Sequence, residues 1–236
     1  MLYCEWLKFR RSPLYWALPA VSIFGPILFL ILRTGEGGNM SWSDYLFNNS
    51  LIYISFLVAV WIAALSVQIG AREFMDHTAS VLYTYPASRY SILLVKTGFA
   101  FLVVTASFLL ELAATYAASA VYMKQMMPAE ILREELVRSA VSIIGQLALC
   151  ALLLWVSQVA RSSLIPILLS LPVMLSNIIL GLSGSPYFAY SPFQAINAPY
   201  LADTYSVSKS LLSSGIVLAV SVALMMIHAA KADVTD

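Results

Sequence analysis

Residues with chemistry to offer are sparse in this chain. Their densest mixture away from the termini is one stretch, "AREFMDHTASVLYTYPASRYSILLVK", residues 71–96. It carries Arg72, Glu73, Asp76, His77, Arg89 and Lys96. Glu73 and His77 stand one helical turn apart, and Phe74, Val81, Leu82 and Tyr85 recur at helical spacing as an apolar stripe, which predicts a helix over about 71–85. Pro86 stops that helix, since it lacks an N–H and disfavours a helical residue before it. Ser88 is placed to cap the next helix, which Arg89 and Lys96 begin. The stretch therefore reads as an amphipathic helix on the cytoplasmic face of a membrane, where long cations can snorkel. The plainer alternative is a solvated loop with an arbitrary mixture of charge.

Other chemistry is thin. Glu111 sits alone inside an apolar block, where a charge costs a few kcal/mol on insertion scales, so it must face protein or a wet cavity. A substrate or gating contact is one reading of it, and a protonated or hydrogen-bonded packing residue is the other. Pro166 and Pro172 precede Asn177 in another apolar block, where a kinked helix or a polar-lined path could result. His77 and His228 are far apart and lack an acid-rich cluster, and Cys4 and Cys150 fall in different surroundings, so neither a metal site nor a disulfide is expected. No G-x-x-x-x-G-K-[ST], H-E-x-x-H, C-x-x-C or G-x-S-x-G occurs. The chain therefore has no P-loop with which to cradle ATP.

The elements that must position these residues are apolar and long. Hydrophobic residues make up 61% of the 236 and charged ones 11%, against about a quarter in soluble domains. That composition predicts an all-α integral membrane protein, a single transmembrane domain over 1–236 without a soluble unit. Six blocks suit the ~20 residues of a membrane span, at about 14–32, 46–70, 91–122, 139–158, 163–182 and 211–228. Six spans put both termini on one side. Lys8, Arg10, Arg11, Arg72, Arg89, Lys96, Arg161 and Lys231 share that side, eight cations against the five of Arg33, Lys124, Arg133, Arg138 and Lys209, which places the termini in the cytoplasm. Leu2, Trp6, Phe9 and Pro13 form one apolar stripe if the N-terminus is helical, with Lys8, Arg10 and Arg11 off it. That suits a short interfacial helix, or equally a plain positive flank. Glu130, Arg133, Glu134, Glu135 and Arg138 pair at three- and four-residue spacings, as on a solvated helix outside the membrane. No basic run tracks phosphates, so nucleic acid is not an expected partner.

The run of Glu73, Leu82, Pro86, Ser88, Arg89 and Lys96 resembles the first cytoplasmic loop of type-2 ABC transporter permeases, the small six-span subunits of drug, antibiotic and peptide exporters. "GSPYFAYSPFQAINAPYLAD", residues 184–203, resembles the structured external element before their last span. The chain departs from the family where relatives carry a Gly soon after the acid and this sequence has Asp76-His77-Thr78. The resemblance implies that 71–85 is a coupling helix, with Arg72, Glu73, Phe74, Asp76, His77, Leu82, Pro86 and Arg89 docking a separate cytoplasmic ABC ATPase. ATP and Mg would then be bound by that subunit and none by this chain. It implies a second permease subunit, identical or homologous, in a bacterial cell membrane, with Glu111 and Asn177 as candidates for the substrate path. The cargo implied is hydrophobic or amphipathic, as in lantibiotic and bacitracin-type export and self-immunity. The competing reading is an ATP-independent carrier, or an intramembrane enzyme using Glu111, although a carrier would often show an internal repeat.

Overall fold

The computed structural model describes residues 1–33, 40–53, 57–78, 88–182, 191, 193, 195–196 and 207–231. Every regular element among them is helical: α1 Leu2–Arg10, α2 Leu14–Arg33, α3 Trp42–Ile52, α4 Val58–Ser66, α5 Arg72–Met75, α6 Arg89–Tyr122, α7 Ala129–Ala160, α8 Leu164–Leu182 and α9 Val207–Lys231. A π turn over Val67–Ala71 joins α4 to α5, so one helical rod runs from Val58 to Met75. Among the described residues five helices are long and apolar enough to cross a bilayer: Leu14–Leu32, Val58–Met75, Arg89–Tyr122, Ala129–Ala160 and Val207–Ala230. α8 adds a shorter apolar run, Leu164–Ser176.

The centre of the bundle is α4, α6 and α7. Trp61, Ile62 and Leu65 of α4 pack with Phe99, Val104 and Phe108 of α6 and Leu149, Leu153 and Leu154 of α7, all buried. α2 and α9 lie outside them: 22% of the apolar window of each is buried, against 61% for α7. An apolar helix exposed over most of its surface needs lipid or another apolar chain around it.

Of the second span, expected at 46–70, the structure describes α3 to Ile52 and the rod from Val58, and residues 54–56 lie outside the described ones. α3 is tied to the far end of α6: Asn49 Nδ2 donates to Thr115 Oγ1 at 2.7 Å and Tyr45 OH donates to the Thr115 carbonyl at 2.8 Å. Two boundaries differ from the sequence expectation. The helix expected across 71–85 stops at Met75, and residues 79–87 lie outside the described ones. The charged run from Glu130 to Arg138 is the opening of α7, continuous with the fourth span. At 32 residues α7 is about 48 Å long and α6, at 34, about 51 Å, both longer than a ~30 Å hydrocarbon core, so each projects from it.

The N-terminal stripe does form a helix, α1, with Phe9 buried and Trp6 edge-on to Tyr15. Ser88 caps α6 as its position predicts, its hydroxyl accepting from the Ser91 N–H at 3.1 Å. Ser88→Ala should therefore cost about 1 kcal/mol, read as a lower midpoint in detergent unfolding with unchanged helix content. Of the segment 184–203, Ser191, Phe193, Ala195 and Ile196 are described; Ser142 Oγ donates to the Ile196 carbonyl at 2.9 Å and holds that piece against α7. Gly145 permits the approach, since a Cβ there would lie 2.7 Å from the Ile196 nitrogen.

Candidate functional site

The charged stretch that stands out in the sequence is built into one end of the bundle. Glu73 is turned inward. Lys8 Nζ of α1 donates to its Oε1 at 2.6 Å, and Lys96 Nζ of α6 donates to its Oε2. Lys8 also donates to Glu5 Oε1 at 2.9 Å, and Lys96 to the Ile69 carbonyl in the π turn at 3.2 Å. The side chains of Glu73 and Lys96 are 12% and 7% exposed, so this pair is shielded from water and its partners are not exchangeable for solvent at little cost. Burial pushes the Lys8 ammonium down, but the hydrogen bonds and charges of Glu73 and then Glu5 more than reverse this and hold it above its ordinary value of 10.5. A lysine raised in this way stabilises the fold fully below pH ~10.5 and loses that contribution only as pH rises through the raised value. The knot is thus closed throughout the neutral range.

Its topology matters more than any single bond. Three elements distant in sequence, α1, the rod ending in α5, and α6, converge on one carboxylate. A fourth reaches the next residue: the Arg161 guanidinium, from the turn between α7 and α8, lies 4.9 Å from the centroid of the Phe74 ring. Arg161 adopts a left-handed backbone, φ 48°, which ends α7 and swings its side chain towards α5.

Beyond Phe74 the chain turns outward. Arg72 and Asp76 pair across one helical turn at 3.1 Å and are both exposed, as are Met75, His77 and Thr78. α5 closes with its terminal carbonyls satisfied: Thr78 N–H donates to the Glu73 carbonyl at 2.9 Å and His77 N–H to the Phe74 carbonyl at 3.3 Å, with His77 left-handed at φ 53°. These two bonds around a left-handed residue are the Schellman arrangement, whose left-handed position glycine usually fills. The sequence departs from its resemblance at this residue. A left-handed non-glycine costs ~1–2 kcal/mol, while glycine costs ~0.5–1 kcal/mol through the unfolded chain. His77→Gly should accordingly raise stability by roughly 0.5 kcal/mol. His77→Val, β-branched at positive φ, should lower it by more than 1 kcal/mol. Denaturation midpoints of both variants check the pair, and equal midpoints would remove the strain argument.

The remaining sequence candidates fall elsewhere. Arg89 is exposed at the first turn of α6. Leu82, Pro86 and the side chain of Asn177 lie outside the described residues. Glu111, 1% exposed, faces protein: its Oε1 accepts from Thr115 Oγ1 at 3.1 Å, and Thr115 in turn accepts from Asn49. This places Glu111 in a polar seam between α3 and α6, away from the Glu73 knot. Among the described residues no group of three His, Cys, Asp or Glu could hold a metal ion. Sequence reading missed Lys8 and Glu5 as members of the charged site. The only hint was their order, an acid and then a base at i and i+3 on a helix otherwise basic, which gives no clue to a carboxylate 65 residues away.

A bundle of long apolar helices, with a charged knot at one end, defines a multi-pass membrane protein. Within that class the chain belongs to the ABC-2 family transporter proteins, whose family model matches residues 1–177, from α1 into α8. Searches of curated proteins and of solved structures found no match. Membership makes the chain a membrane permease of an ABC transporter and implies an ABC ATPase as its partner.

Proposed function

We infer that this chain is the six-span permease subunit of an ATP-driven exporter, that both termini lie in the cytoplasm, and that the segment beginning at Arg72 is where the separate ATPase pushes. The observation that carries this reading is the inward Glu73 with the outward Arg72, Met75, Asp76 and His77 on the same short segment. One face is locked to α1 and α6, and the other is presented to solvent. Force applied to the outer face is delivered through the Glu73 carboxylate to a spanning helix and to the N-terminal helix, rather than absorbed by a loose loop. Movement of the ATPases on binding ATP would then bias the spans between inward- and outward-open arrangements. Glu73 in this reading anchors the docking segment, and the exposed residues around it meet the motor. Two permease chains would enclose the path in a bacterial cell membrane, with ATP and Mg on the motor. A hydrophobic or amphipathic cargo, a peptide antibiotic among the candidates, suits the apolar walls.

The test inverts the outer face without touching the anchor. Arg72→Glu with Asp76→Lys keeps an i, i+4 ion pair but reverses the charges presented to a partner. Solubilised under mild conditions from its own host, the wild-type chain should carry a P-loop ATPase identifiable by mass spectrometry. The inverted variant, inserted and folded, should lose most of it. Absence of any such ATPase from the wild type, or its full retention by the variant, removes the docking reading.

A further inference from the structure

A second feature shares α1 and α6 with the knot. An apolar cleft of about 530 Å³ opens between α1, α2 and α6, walled by Trp6, Phe9, Tyr15, Trp16, Phe99 and Leu102. That volume falls in the ~300–1,000 Å³ range of ordinary small-molecule sites. Its lining is almost wholly apolar and rich in aromatic rings, with Trp16 74% and Leu102 59% exposed. Indole and phenol rings with one apolar and one wet end belong at the headgroup level of a bilayer.

The charge around the cleft is unbalanced. Glu5 and Glu73, the acids at this end of α1, are consumed by Lys8 and Lys96. Arg10 and Arg11, which close α1 immediately after Phe9, are exposed, and neither guanidinium has an ion pair or side-chain hydrogen bond among the described residues. Two exposed cations thus follow directly on Phe9, a residue of the cleft wall, at the expected cytoplasmic interface. Apolar walls take a hydrocarbon chain, and paired guanidinium groups take a phosphate. We propose that this cleft is a binding site for one anionic phospholipid of the inner leaflet, its acyl chain between α1, α2 and α6 and its phosphate held by Arg10 and Arg11. A bound lipid there would brace α1, and with it one arm of the Glu73 knot, so the site couples leaflet composition to the docking segment.

The experiment is native mass spectrometry of the detergent-purified chain titrated separately with phosphatidylglycerol and phosphatidylcholine. Wild type should bind one phosphatidylglycerol about tenfold or more tightly over phosphatidylcholine. Each basic residue near an anionic surface contributes about 1 kcal/mol, or roughly fivefold. Arg10→Gln with Arg11→Gln should therefore abolish the preference while leaving the unfolding midpoint in phosphatidylcholine unchanged, since Lys8 and its partners stay intact. Ala106→Trp, which fills the cleft from α6 and leaves every charge in place, should remove binding of both lipids. Equal affinity for the two lipids in wild type overturns the proposal. So does undiminished phosphatidylglycerol binding in both variants. Conversion of a stable dimer to monomer by Ala106→Trp, with lipid binding unaltered, would make the cleft a contact between two copies and would equally overturn it.

Discussion

Glu73→Gln should be the most damaging single change in this chain, lowering stability by about 3–5 kcal/mol. The reason is what it leaves behind. Lys96, with 7% of its side chain exposed, would keep its charge in a shielded position with neutral acceptors such as the Ile69 carbonyl, and no carboxylate, to meet it among the described residues. Lys8, with 43% exposed, can swing to water, so its loss of partner matters far less. The asymmetry yields a sharper expectation. Lys8→Met should cost no more than about 1 kcal/mol, near the value of an exposed pair. Lys96→Met in the Glu73→Gln background should recover most of the loss, because no unpaired charge is then left in the shielded position. Unfolding of wild type, Glu73→Gln, Lys8→Met and the double variant in one detergent, by a tryptophan signal, checks all three values. A Glu73→Gln midpoint unchanged from wild type would mean that the knot is solvated and holds nothing. Under the proposed function the double variant also separates stability from transport: folded but without the carboxylate, it should still insert yet lose ATP-driven transport, because the ion pair from the proposed docking segment to α6 is gone.

How much of this arrangement could be read beforehand follows the range of each interaction. Local signals read well. The stripe of Leu2, Trp6 and Phe9 gives α1, the hydroxyl of Ser88 gives the start of α6, and the isolation of Glu111 in an apolar block gives its burial against protein. The stretch at 71–96 stands out in the sequence, since charge in so apolar a chain is costly wherever it is not used. What it is used for was not legible. The partners of Glu73 lie 65 and 23 residues away, and nothing in a single sequence marks Lys8 among its neighbouring cations. Nor does periodicity show the break at His77. The spacing of Phe74, Val81 and Leu82 continues across it, while the two capping bonds depend on one residue adopting φ 53° without being a glycine. The attachment of α3 was hidden for a related reason: Tyr45 and Asn49 spend their polar groups on Thr115, which is visible only once α6 is in place.

Gly70→Ala should cost about 1–3 kcal/mol, and the sign is decided by a competition. Alanine within a helix is favoured over glycine by up to ~1 kcal/mol. Against that, a Cβ at Gly70 would stand 2.1 Å from Ser157 Oγ and 3.2 Å from Leu154 Cδ1 on α7, the element packed tightly along the rod. The serine hydroxyl cannot simply rotate aside without consequence, since it donates to the Ser66 carbonyl at 2.9 Å, one of the few hydrogen bonds binding the rod to α7. Turning it away gives up ~0.5–1.5 kcal/mol and leaves a buried carbonyl less well satisfied. The clash and the lost bond together exceed the propensity gain. Ser157→Ala alone should cost about 1 kcal/mol, but combined with Gly70→Ala it should remove the worst contact and leave the Cβ of residue 157 at 3.3 Å and Leu154 Cδ1 at 3.2 Å. The pair should therefore be at least 1 kcal/mol more stable than the sum of the singles. Strictly additive midpoints would show that α7 yields and that small side chains at this crossing are incidental. Coupling of the expected sign would mean that the approach of the π turn to α7 sets where α5 begins, and so where the Glu73 carboxylate must sit to meet both lysines.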